Sequence, residues 1–280
     1  MHIIYLPVLG TLRELYGLPR DMRRFQRYVA TMTGGTEDIV LPIGVANPMA
    51  REHAVAKLDE LLALGAEEIG AAAAEEAQAR MGGLAGEMTA SLVLADDVAG
   101  GWTNRYTTEA SVRFPGRGAL KRPFATGLLW TSESPGADGI RRELLGAIYR
   151  LAYQCRHGLP TTLRAMLTQE GLAGAFAGDR PTLGADELAR SRDIIAPYLD
   201  TESYPEAFAC LYGDVAAREL GYRPLGLPPR AGFILALAEA LAEHRDPAAA
   251  VGDQGAPQGR RKISTTLDRT SPGCGPPART

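Results

Sequence analysis

A change of hydrophobic period divides this chain and limits what it can become. Apolar residues recur at helical spacing up to Met81 and again after Pro135, whereas the stretch between them alternates with a period of two. Met88, Ala90, Leu92 and Leu94 alternate with Glu87, Thr89 and Ser91. Tyr106, Thr108, Ala110, Val112 and Phe114 alternate with Thr107, Glu109, Ser111 and Arg113, and Phe124, Thr126, Leu128 and Trp130 with Ala125, Gly127, Leu129 and Thr131. Three half-buried strands are expected from these runs, and an antiparallel sheet is their simplest assembly. The apolar opening from Met1 to Leu9 reads as a short strand or a packed arm.

Helices are expected over Arg20 to Thr33 and over an Ala-rich region from Pro48 to about Met81, with Asn47 as its cap and Gly82-Gly83 as its stop. Five more follow: Ala137 to Arg156, Thr161 to Phe176, Ala185 to Leu199, Tyr204 to Leu220 and Arg230 to Glu243. The expected fold class is α+β, predominantly helical, with a small three-stranded antiparallel sheet packed by helices. No linker-like composition interrupts residues 1–245, which are read as one domain. From Asp246 the chain turns to Ala, Gly, Pro, Ser and Thr, and residues 246–280 are expected to be a disordered tail.

Hydrophobic residues at 45% and charged residues at 22% are enough for a folded core. The tail carries five basic and three acidic residues, so the body stands near −5 against −3 for the whole chain, which disfavours nucleic acid as a partner. Three unpaired-looking cysteines suggest a reducing compartment, and charges interrupt every long apolar run. A cytoplasmic protein without a membrane span is the expectation.

The residues richest in chemical possibility lie between the first two expected strands. Asp96, Asp97, Trp102, Asn104 and Arg105 combine two carboxylates, a large aromatic, an amide and a guanidinium around Gly100-Gly101, and are the expected ligand-binding set. On the polar face of the expected sheet, Glu87, Glu109, Arg113 and Glu133 would stand near that loop, so that Asp97 and Glu109 become candidate ligands for a divalent metal. A separate stripe, Arg20, Arg23, Arg24 and Arg27, shares one helix face opposite Met22, Phe25, Val29 and Met32 and is a candidate surface for an acidic protein. His53 falls opposite the apolar stripe of Val55, Leu58 and Leu62 and is expected to face water, whereas Cys155 falls on an apolar stripe and reads as a core thiol.

No nucleotide-binding glycine loop, nucleophile elbow, HExxH or EF-hand pattern occurs in the sequence. Two readings of function follow: a small-molecule-binding protein or enzyme using the acidic loop region, or a noncatalytic accessory protein using the arginine face.

Overall fold

The computed structural model describes residues 1–82, 84–98, 104–116, 124–243 and 246–252. Its sheet has three strands, β1 (His2–Tyr5), β2 (Glu87–Ala95) and β3 (Phe124–Trp130), in the order β1-β2-β3. Both pairings are parallel: Ile3 lies opposite Met88, and Val93 opposite Leu128. The expected antiparallel sheet is therefore corrected in direction and in membership. The short apolar N-terminal segment supplies the third strand, and Tyr106 to Phe114 does not belong to the sheet.

That segment is a helix for a local reason. Asn104 Oδ1 accepts hydrogen bonds from Tyr106 N at 2.9 Å and Thr107 N at 3.2 Å, so it caps a helix that runs from Arg105 to Arg113. Its buried positions are Thr108, Glu109, Ala110 and Arg113, a helical set that the two-residue alternation conceals. Parallel strands also need crossover connections, and helices provide both of them.

Between β1 and β2 the chain forms α1 (Leu9–Tyr16), α2 (Met22–Thr33), α3 (Glu52–Ala63) and α4 (Ala66–Arg80); α5 (Arg105–Arg113) joins β2 to β3. The expected continuous helix after Pro48 is broken at Gly65, whose φ of 77° lies in the left-handed region and separates α3 from α4. The side chain of Asn47 does not cap a helix at Pro48, but accepts from Met49 N and turns the chain toward α3. After β3 come α6 (Ala137–His157), α7 (Leu163–Ala177), α8 (Ala185–Ile195), α9 (Tyr204–Tyr212), α10 (Asp214–Glu219), α11 (Ala231–Ala242) and α12 (Pro247–Val251). The last of these falls inside the expected tail, and its Val251 is buried.

β2 runs through the middle of the sheet and is buried from Ala90 to Ala95, as a strand covered on both faces must be. α4 and α6 lie side by side over one face, tied by Arg141, which donates to both oxygens of Glu76 at 2.7 and 2.6 Å. On the opposite face Ala95, Leu128 and Trp130 pack against Val45 and Val112. A second apolar core gathers Phe208, Tyr212, Leu163, Ile195, Leu227 and Phe233 from the later helices with Ala110 of α5. α5 thus bridges the sheet and the helical half of the molecule. Among the described residues no helix is long and apolar enough to cross a membrane.

α2 is rotated about its axis relative to its expected orientation. Arg24 and Tyr28 are its buried residues, while Met22 is 63% exposed and Val29 is also exposed. Arg24 donates to Leu18 O and Ala50 O at 2.9 Å and to Tyr16 O at 3.1 Å, so its guanidinium satisfies carbonyls left open where α1 ends. Arg20, Arg23 and Arg27 remain on the exposed side.

Candidate functional site

In a parallel sheet the loops that leave the carboxyl ends of the strands converge, and ligands of such folds bind there. Here β2 delivers Asp96 and Asp97 to that edge and β3 delivers Thr131 and Ser132, held together by a bond from Thr131 N to Ala95 O of 3.1 Å. Asp96 is buried, yet its carboxylate is well supplied with donors. Asn47 Nδ2 donates to it at 3.0 Å and Val98 N at 3.3 Å, and His53 Nε2 lies 2.7 Å from its Oδ1. Thr131 Oγ1 stands between the two aspartates, 3.1 Å from Asp96 Oδ1 and 3.0 Å from Asp97 Oδ1, so its single proton serves one of them at a time.

His53 is the residue that the sequence reading places wrongly. The imidazole is 29% exposed and docks on Asp96 across the strand ends, 43 residues away along the chain. Facing a carboxylate, Nε2 acts as the donor, and Nδ1 has no partner among the described residues. Lys57, one turn further along α3, reaches the same edge, where its Nζ donates to Ser134 Oγ at 3.0 Å and to Glu60 at 2.6 Å. The spacing of His53 and Lys57, four apart on one helix, is the signal in the sequence that could have found this face.

Asp97 is tied down more tightly than Asp96. It accepts from Ser132 N at 3.0 Å, Ser132 Oγ at 2.6 Å and Arg105 Nη1 at 2.9 Å. Burial alone would raise its pKa, but the Ser132 and Thr131 bonds and the Arg105 charge outweigh that and hold it below the ordinary aspartate value. Arg105 also pairs with Glu133 and lies over the Trp130 ring, 4.8 Å from its centroid. Burial opposes its charge, and the two carboxylates more than restore it.

Of the ligand-binding set read from the sequence, Asp96, Asp97 and Arg105 meet at this edge. Asn104 caps α5 and donates to Glu219, and Trp102 lies outside the described residues. The proposed metal pair is not assembled: Asp97 is held as above, while Glu109 points into the helical half, where it binds two arginines. Among the described residues no three His, Cys, Asp or Glu side chains gather to hold a metal ion. Cys155 is exposed, contrary to its reading as a core thiol, and Cys210 is buried.

Sequence reasoning also missed a buried charge network between the two cores. Arg113 Nε donates to Glu109 Oε1 at 2.6 Å and its Nη1 to Glu170; Arg230 donates to both oxygens of Glu109, at 3.0 and 2.9 Å; Arg150 Nε binds Glu170 at 3.0 Å. Arg230 adopts φ 59°, a left-handed backbone conformation that costs a non-glycine residue on the order of 1 kcal/mol and that brings its guanidinium over Phe233. Burial pushes Glu109 and Glu170 up, yet the surrounding arginines prevail and hold both below the ordinary glutamate value. Glu143 behaves oppositely: burial outweighs Arg113, Arg150 and the bond from Leu128 N, and its carboxyl is raised.

These shifts carry a pH prediction. Glu109, Glu170 and Asp97 have depressed folded values, so the stability they contribute is fully present above the unfolded carboxyl range near pH 4 and is lost as pH falls through the folded values. Glu143 has the opposite sign and counteracts part of this as pH rises. The urea midpoint is expected to fall steeply below about pH 4, and a midpoint that held steady to about pH 2 would contradict the network's charge assignment.

No family model, no curated protein and no solved structure matches this chain.

Proposed function

We propose that the carboxyl edge of the sheet binds a small polar molecule and that His53 accepts a proton from it through Nδ1. The observation that carries this reading is the 2.7 Å bond between His53 Nε2 and the buried Asp96, at the edge where parallel sheets hold their ligands. A histidine fixed in one tautomer by a buried carboxylate is a general base with its orientation already set. Asp97 and Arg105 are paired at the same edge, with the Ser132 hydroxyl bonded to both. Reaction chemistry is thus proton abstraction, with Asp96 a positioning residue that does not itself touch the ligand.

The test is an amide NMR screen of the full chain against pooled polar metabolites, followed by turnover assays on each binder. Expected shifts cluster at His53, Val98 and Ser132. His53→Gln should lower kcat about 10²- to 10⁴-fold with KM little changed, as for loss of a general base. Binders whose shifts map elsewhere, or a screen in which no pool binds, would end this reading.

A second reading rests on α2, which presents Met22 and Val29 outward beside Arg20, Arg23 and Arg27. Such a face suits an acidic protein partner whose association weakens with salt. With Arg23→Glu and Arg27→Glu together, a partner bound in this way should be lost from affinity capture. Capture unaltered by the double reversal would remove the reading.

A further inference from the structure

A cavity of about 570 Å³ opens between α6, α7 and α11, away from the sheet edge, and its walls carry five arginines against three carboxylates. Glu109 and Asp138, which are not among the lining residues, also pair with these arginines, so the internal pairs leave one of the five, Arg180, uncommitted among the described residues. Arg113 and Arg150 are committed to Glu109 and Glu170. Arg142 pairs with Asp138 and, at 3.2 Å, with Asp179, both of them exposed carboxylates that solvent screens. Arg180 is exposed and has no partner among the described residues. Arg230 binds Glu109 with one edge while 40% of its side chain stays open, and it is held there by an unusual backbone conformation.

Glu143 lines the same space. Its Oε1 accepts from Leu128 N at 3.1 Å, and its other oxygen has no partner among the described residues. Burial raises this carboxyl above the ordinary glutamate value, against the pull of Arg113, Arg150 and the bond from Leu128 N. The guanidinium forks along this wall match the paired oxygens of an oxyanion. A purely structural ion network would close on itself. This one leaves cations facing an open volume large enough for a small metabolite.

We infer that this cavity binds a compact dianion, a dicarboxylate or a phosphate monoester, gripped by Arg142 and Arg180 at its mouth with Arg230 beneath. The site is separate from the sheet edge and stands or falls independently of the role given to His53.

Isothermal titration of the full chain, at low salt, with inorganic phosphate and separately with succinate tests it. At least one anion should show a single saturable site. Phosphate alone would assign a phosphoryl ligand, succinate alone a dicarboxylate, and both the shared dianion chemistry. Arg180→Ala, an exposed change that leaves the core intact, should weaken binding about tenfold, and Arg142→Ala by a similar factor. Arg192→Ala, which removes an exposed arginine paired with Glu239 elsewhere on the surface, and His53→Gln should leave it unchanged. Absence of saturable heat with either anion, or an equal loss in the Arg192 variant, would overturn the inference.

Discussion

Replacing Glu109 by alanine is expected to destabilise the protein by about 3–5 kcal/mol, the usual cost of leaving a buried charge without its partner. Glu109 is the shared acceptor of two arginines, at 2.6 Å from Arg113 and 2.9 and 3.0 Å from Arg230. Arg113 would keep Glu170, but Arg230 would lose the only carboxylate it pairs with among the described residues. Its guanidinium would then have the Phe233 ring and solvent to turn to. Adding Arg230→Ala should therefore cost less than the sum of the two single changes, because it removes the orphaned cation. Urea unfolding of the four proteins measures this directly. Glu133→Ala is the control: its carboxylate is about half exposed and pairs with Arg105 at the surface, so a loss under about 1 kcal/mol is expected. If Glu109→Ala matched that control, water would have to reach the network freely.

The same residue shows why the sequence yielded some of this architecture and withheld the rest. Glu109 falls on the polar face of an expected strand, because Tyr106, Thr108, Ala110, Val112 and Phe114 alternate with polar neighbours. Four residues on, Arg113 could have signalled a helix, since an acid and a base four apart share a helix face. A window of nine residues supports either period, and the capping bonds of Asn104 decided between them. β2 is legible because Met88, Ala90, Leu92 and Leu94 alternate with Glu87, Thr89 and Ser91 in one unbroken stretch, and the loop after it because Asp, Gly and Arg accumulate there. Strand direction was not legible, since it depends on which segment supplies the third strand, and β1 was assigned no partner. His53 escaped for a related reason. Its phase is measured against Val55, Leu58 and Leu62, whereas the buried residues of α3 are Ala54, Leu58 and Leu61, and its partner is a carboxylate at β2's carboxyl end that no local window contains. The buried polar groups were the least visible of all: Arg24 looked like one of four equivalent surface cations, yet it closes the carbonyls at the end of α1.

The other large effect is expected from Gly213→Ala, at the break between α9 and α10. Gly213 adopts φ 83° with ψ −179°, a region that only glycine enters without strain. A Cβ there would stand 2.1 Å from Pro228 O and 3.1 Å from Pro229 Cα, so the obstacle is backbone and cannot rotate aside. Strain of about 1–3 kcal/mol and forced repacking of a similar size combine to roughly 2–6 kcal/mol. The consequence reaches beyond stability. Asp214, the next residue, accepts from Leu225 N at 2.8 Å and Leu227 N at 3.1 Å, while Tyr212 O accepts from Arg230 N at 2.9 Å. These bonds fix the 225–230 segment against α9, and with it the backbone that aims Arg230 at Glu109 and the cavity. Displacing Pro228 should therefore weaken anion binding along with folding, even at temperatures where the variant remains folded. Gly10→Ala is the contrast: it lies within α1 with nothing within 4 Å of an added Cβ, and should stabilise by about 0.5–1 kcal/mol. Thermal unfolding followed by circular dichroism separates the two. A Gly213→Ala protein as stable as the wild type would mean that the Pro228 carbonyl does not close over Gly213, and the route by which this turn positions Arg230 would fail with it.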